Sequence, residues 1–249
     1  MPSPTTADDG ASKRKRREGP RTPSRGRGVA RYGALLDATE ALLQVENPDT
    51  IGLYQIAEQA GVPPASVYHF FPTKEAAYVA LAERYLEGLM EVHRAPIEAR
   101  LLGGWQDLLR IDFRRAMEFY NARPPMNKIL YGGYGGIEAR NIDKLFSLKL
   151  ANAHYDRLDR IFHMPFMRNP GAFFENRLGI LDALWSISVR RYGSITEEYL
   201  LEAQRACSAY TLVYLPQYLE PRELLVEAAA RGEALTLAFD LPAQDEPAA

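Results

Sequence analysis

The stretch LYQIAEQAGVPPASVYHFFPTKEAA, residues 53–77, decides the fold. Leu53, Ile56, Ala57 and Ala60 fall on one face of a short helix. Gly61 follows where a tight turn needs a positive φ. Val62 plugs the corner, and Val67 and Phe70 face back from a second short helix. Ala57 stands where two steeply crossing helices approach too closely for a larger side chain. Small residue, glycine turn and apolar anchors at this spacing form the minicore of a helix-turn-helix.

Upstream, Leu35, Ala38, Thr39 and Leu42 follow the i, i+3, i+4, i+7 rule and predict a first helix. Residues 1–28 are rich in Pro, Ser, Gly and Arg and almost free of large apolar side chains, so they read as a disordered arm. Between Ser12 and Arg31 stand nine basic residues against Glu18 alone, a net of +8. The formal charge of the chain is −2, so the remainder carries −10. A basic end on an acidic body implies a polyanion partner for that end only.

Downstream, Pro96, Pro124, Pro125, Pro165, Pro170 and Pro216 separate stretches of helical period. Helices are expected near 73–95, 104–122, 125–131, 137–163, 172–192 and 196–219, with a short one after Glu220 and then an acidic Pro/Ala-rich tail. No convincing alternating strand and no internal repeat is present. The eighth helix, FFENRLGILDALWSISVRRY, carries two apolar stripes: Phe174, Leu178, Leu181 and Trp185, and Ile180, Leu184 and Ile187. They centre about 120° apart at 100° per residue, too wide for one core face, so both must be buried.

Composition excludes several classes. At 249 residues, 47% apolar and 25% charged, the chain is an ordinary globular one. The single Cys207 allows no internal disulfide and reads as core filler. No apolar run approaches the ~18 residues of a membrane span, and no apolar stretch follows the basic N-terminus as in a secretory signal. A reducing cytoplasm is therefore expected. YGGYGG at 131–136 lacks the strand–helix context of a phosphate loop and reads as a linker. His154 and His163, nine apart, do not form a metal-ligand pair. With no nucleophile–base pair, zinc spacing or nucleotide fingerprint, no enzyme, metal or cofactor is expected.

IAEQAGV followed by VYHFFPTKEAA, with Arg31, Leu35, Ala38 and Leu42 upstream, resembles the signature of the TetR family of bacterial regulators over residues 31 to about 80. The resemblance implies an all-α protein: a three-helix helix-turn-helix DNA-binding domain, then an antiparallel helical regulatory and dimerisation domain. The expected division is a basic arm over 1–28, the DNA-binding domain over 29–76, the helical body over 77–220 and a tail with a short helix over 221–249. Three departures stand out. Pro63 replaces the usual serine cap of the recognition helix, although Pro64 suits its first turn. Gly52 stands where Thr or Ser is common, so Thr50 or Asp49 is expected to cap the preceding helix, and Ala77 replaces a leucine.

By the same resemblance, Pro64, Ala65, Ser66, Tyr68 and His69 present the recognition surface, Lys74 reaches a phosphate, and Thr50 lies with them at the DNA. Hydroxyls of Ser66 and Tyr68 can donate to phosphate oxygens, and His69 can reach a base edge. Lys13, Arg14, Arg16 and Arg17 of the arm enter the minor groove or lie along phosphates. The last two long helices of each subunit form a four-helix dimer interface, with Leu181, Leu184, Trp185, Cys207, Tyr210 and Tyr214 as its candidates. Which stripe of the eighth helix faces the partner stays open.

Helix bundles place ligands between helices, in apolar cavities with a few polar groups. Trp105, Phe113, Tyr120, Met126, Tyr131, Phe146 and Phe173 are the candidate lining, with Lys128, Arg140 and Lys144 near the entrance. The expected partners are a pseudo-palindromic operator in duplex DNA, a second copy of the chain and a small apolar or aromatic effector, with an acidic one admitted by the basic entrance, and no membrane. The expected activity is repression relieved by that effector; the alternative is a helix-turn-helix protein controlled by a protein partner.

Overall fold

The computed structural model describes residues 19–23, 26–131 and 150–237. Helix α1 spans Gly26–Val45, α2 Leu53–Gln59, α3 Pro64–Phe70 and α4 Lys74–Arg94. After a turn of 3-10 helix at Ala99–Leu101 come α5 (Trp105–Asn121) and α6 (Pro124–Leu130). Residues 150–161 are helical (α7), followed by α8 (Pro170–Tyr192), α9 (Glu197–Leu212) and α10 (Glu223–Arg231). The fold is all-α with an N-terminal helix-turn-helix.

Local chemistry sets the ends of these helices. Thr73 and Asn169 cap α4 and α8, their side-chain oxygens accepting from the backbone N–H of Ala76 and Ala172. Gly193 and Gly232, both at positive φ, end α8 and α10. At α2 the expectation fails. Gly52 is the N-cap, its N–H donates to Gln55 Oε1 at 2.9 Å, and the Thr50 hydroxyl turns back to Asn47 O at 2.8 Å. Neither Thr50 nor Asp49 caps the helix, because Gln55 already closes it from inside.

One continuous apolar core runs from Leu35 in α1 to Leu237. α1 is fastened to α4 by polar bonds as well: Arg84 spans Asp37 at 2.5 Å and Glu40 at 2.6 Å, and the Tyr85 hydroxyl donates to Glu40 at 2.8 Å. α8 packs along α9, and α5 lies against both α4 and α9.

Two helix boundaries and one strand pair differ from expectation. α1 begins at Gly26, inside the stretch read as arm. A two-residue antiparallel pair joins β1 (Ile97–Glu98) to β2 (Ala234–Leu235), with Ile97 opposite Leu235; two residues are too few to leave an alternating pattern. α9 stops at Leu212, well before 219. Beyond it, the start of α5 takes the chain's carbonyls, the Trp105 indole donating to Pro216 O at 3.0 Å and Gln106 to Gln217 O at 2.8 Å.

Candidate nucleic-acid interface and interior cavity

Gly61 takes φ +64 and lets Val62 N–H close the turn onto Ala57 O at 3.0 Å. The chain then enters α3 through Pro63 and Pro64. Val67 (0% exposed) and Phe70 (6%) face inward, so Pro64, Ala65, Tyr68 and His69 must face out, with Ser66 half-buried. Tyr68 is 58% exposed, a large aromatic held outward by two buried neighbours. Thr50 is exposed, though its hydroxyl is engaged with Asn47.

Lys74 is placed differently from a free phosphate ligand. Its ammonium donates to Pro48 O at 3.1 Å and Asp49 O at 2.8 Å, tying the start of α4 to the α1–α2 loop. The buried Tyr78 hydroxyl reaches the same Pro48 oxygen at 2.7 Å. Lys13, Arg14, Arg16 and Arg17 lie outside the described residues.

Two features escape the sequence reading. The Arg21 N–H donates to Phe70 O at 2.9 Å, so the segment leading into α1 lies on the C-terminal end of α3. Tyr32 braces that end, its ring 5.6 Å from Phe70 and 5.3 Å from Phe71. Tyr54 stands 64% exposed on α2, the helix that crosses the phosphate backbone in this motif. An aromatic on the polar face of a short amphipathic helix was the available signal for it.

In the body, α4, α5, α7 and α8 enclose a cavity with about 620 Å³ of non-protein space, part of it open to solvent. Phe113, Tyr120 and Tyr131 line it as expected, beside Leu86, Leu89, Met90, Leu178 and Leu181. Other candidates sit elsewhere. Trp105 is a core strut outside the cavity, its N–H spent on Pro216, and Met126 is fully buried apart from it. Phe173 stacks on Tyr210 at 5.5 Å in a separate shallow groove that also holds Tyr214. Phe146, Arg140 and Lys144 lie outside the described residues. Lys128 does not guard an entrance; it donates to Leu43 O at 2.5 Å and Glu46 O at 3.1 Å, capping α1.

The sequence reading missed the polar wall of the cavity, built by His93, Asp112 and His154. Behind it Arg157, fully buried, meets Asp112 Oδ2 at 2.5 Å. Burial alone would raise the Asp112 pKa, but the Arg157 guanidinium, with His93 and His154, holds it well below the usual carboxylate range. Burial, then the nearby Arg177 guanidinium, push the His154 pKa well below its ordinary value. Burial also pushes the Cys207 thiol up to about 12 and makes it inert packing. Among the described residues, no group of three His, Cys, Asp or Glu side chains is arranged to hold a metal ion, and no helix is long and apolar enough to cross a membrane.

The outer face of α8 and α9 settles which stripe is free. Leu181 (6% exposed), Trp185 (1%) and Cys207 (0%) are buried in the core of the chain, which removes them from the expected interface. Ile180, Leu184 and Ile187 stay half-buried, with Gly179 and Ala183 exposed beside them. On α9, Leu201 and Leu212 are exposed, and Tyr214 beyond it is 51% exposed.

Residues 35–81 match the family model described as bacterial regulatory proteins, tetR family. No curated protein is similar enough to count as a match. Among solved structures, a TetR-family transcriptional regulator from Streptomyces coelicolor is 23% identical, covering 76% of this chain and 99% of its own, with a TM-score of 0.56. A TetR transcriptional regulator from a Rhodococcus species is 17% identical over 74% of this chain and 96% of its own, at 0.54. The fatty acid degradation regulator FadR from Bacillus halodurans is 14% identical over 78% and 98%, at 0.53. At such identities the likeness to these three is one of fold. Residues 35–81 thus carry the helix-turn-helix of the tetR family of bacterial regulatory proteins, within a chain that shares the all-α fold of TetR-family structures.

Proposed function

We propose that this regulator is a cytoplasmic homodimer that represses transcription at a pseudo-palindromic operator and is released by a small apolar or aromatic effector. The observation that carries the reading is the path of α4. Its first residue, Lys74, is bonded to the α1–α2 loop, and its later turns supply Leu86, Leu89, Met90 and His93 to the cavity. A ligand that repositions those turns moves the helix-turn-helix with them, because Arg84 and Tyr85 lock α1 to α4.

In this reading residues 29–76 bind DNA through Pro64, Ala65, Ser66, Tyr68, His69 and Thr50, with the arm residues Lys13, Arg14, Arg16 and Arg17 adding phosphate contacts. Residues 77–220 bind effector and partner. Leu184 and its half-buried neighbours pair with their symmetry mates across a two-fold axis, where small Gly179 and Ala183 allow close helix approach. Identical subunits so related need inverted half-sites about 34–36 Å apart.

The test is titration of metabolite extracts into the protein–operator complex. Release of DNA by a low-molecular-weight fraction is expected. Release only by a macromolecular fraction would replace the effector by a protein partner.

A further inference from the structure

Two residues of the cavity lining carry buried polar atoms with complementary needs. Asp112, 1% exposed, spends Oδ2 on Arg157, whereas Oδ1 has among the described residues no donor closer than His93 Nδ1, which faces it at a long 3.4 Å. Trp185, also 1% exposed, has an indole N–H with no acceptor. Phe113 at 6.2 Å and Tyr120 at 5.6 Å pack edge-on against its ring. Buried polar atoms without partners are rare and costly, and both of these belong to residues lining one apolar cavity.

We propose that the effector is a hydroxyl-bearing apolar molecule, such as an alkylphenol, which donates to Asp112 Oδ1 and accepts from Trp185 Nε1. This rests on the effector reading above and narrows it. Asp112 is kept ionised by Arg157, so it is a strong acceptor and cannot donate. A neutral hydroxyl answers it, whereas an effector carboxylate placed there would meet a like charge. Lys128, committed to α1, is not free to answer an acidic effector, while Arg140 and Lys144 lie outside the described residues.

The test is calorimetric titration of the full-length protein with para-propylbenzene derivatives: propylbenzene, para-propylanisole and para-propylphenol. The ether adds an acceptor and the phenol adds a donor as well. Affinity is expected to rise about fivefold from hydrocarbon to ether and about tenfold again to phenol. Trp185→Phe, which keeps the ring and removes the N–H, is expected to erase the first step, and Asp112→Asn to shrink the second. Should Asp112→Asn fail to fold, the Trp185→Phe series decides alone. Equal affinity of all three compounds, or the same steps in Trp185→Phe as in the parent, overturns the proposal while leaving an apolar effector in place. If none of the three binds, the proposal falls; the effector reading falls with it only if the extract titration also yields no releasing small molecule.

Discussion

The ammonium of Lys128 in α6 donates to the carbonyl oxygen of Leu43 in the last turn of α1, at 2.5 Å, with Glu46 O at 3.1 Å. A residue outside the helix-turn-helix unit thus supplies the C-terminal cap of that unit's first helix. Lys128→Met keeps the aliphatic stem and removes the donor. It is expected to lower stability by about 1 kcal/mol and to speed amide exchange in the last turn of α1. Unchanged exchange in that turn would mean that the contact couples nothing.

On the DNA side, Tyr68→Ala and His69→Ala remove exposed groups from α3 and should weaken operator binding at least about tenfold without altering helicity. Lys74→Ala should do more. It also deletes two hydrogen bonds to the α1–α2 loop, so melting temperature should fall with affinity. Parental affinity in both α3 variants, read by fluorescence anisotropy, would move the recognition surface elsewhere.

The two stripes of α8 give a paired prediction. Leu184→Glu, on the half-buried outer stripe, should yield a folded monomer. Leu181→Glu puts a charge into the subunit's own core and should unfold it. Light scattering with circular dichroism separates the outcomes, and a dimeric Leu184→Glu protein would exclude this face as the interface.

Acid should destabilise the fold in two windows. The His154 pKa is depressed by burial and by Arg177, so below its ordinary value of about 6.5 the unfolded chain binds a proton that the native state refuses. Stability present above that pH is lost as pH falls, by up to about 1.4 kcal/mol per unit. Asp112 acts with the same sign further down: its contribution is complete above about pH 4 and disappears below. Urea midpoints should therefore decline from pH 6.5 to 5 in the parent and less steeply in His154→Gln. A flat parental profile over that interval would contradict the buried neutral imidazole.

Deleting residues 1–18 should flatten the dependence of log affinity on log salt by about 0.9 for each phosphate that the arm no longer neutralises, with little change in preference among operators. The bond from Arg21 N–H to Phe70 O leaves the remaining segment docked on α3, so the weakening would not come from a disturbed recognition helix. An identical slope would make the arm a bystander at the operator.

Much of this molecule was legible as pattern. Gly61, Ala57, Val67 and Phe70 announced the helix-turn-helix because its core is local and each position tolerates few side chains. The cavity was half legible. Phe113, Tyr120 and Tyr131 carry an aromatic signal, whereas Trp105 and Phe173 carry the same signal and serve packing elsewhere. His93, Asp112 and His154 left no mark, because they meet only after α4, α5 and α7 are packed. The α8 stripes predicted two buried faces without saying which one the chain's own core covers, since periodicity fixes the angle between faces and not the neighbour across each. Lysine was the least readable residue: Lys74 and Lys128 looked like free charges and proved to be bonded to backbone carbonyls.

The carbonyl oxygen of Pro48 is shared by Lys74 and Tyr78. A phosphate that recruits the Lys74 ammonium takes it away from the α1–α2 loop, while the shorter, buried bond from Tyr78 stays. Operator binding would then slacken the loop around Asp49 in the same event that immobilises α3, and some order surrendered at one end of the domain would repay the order imposed at the other.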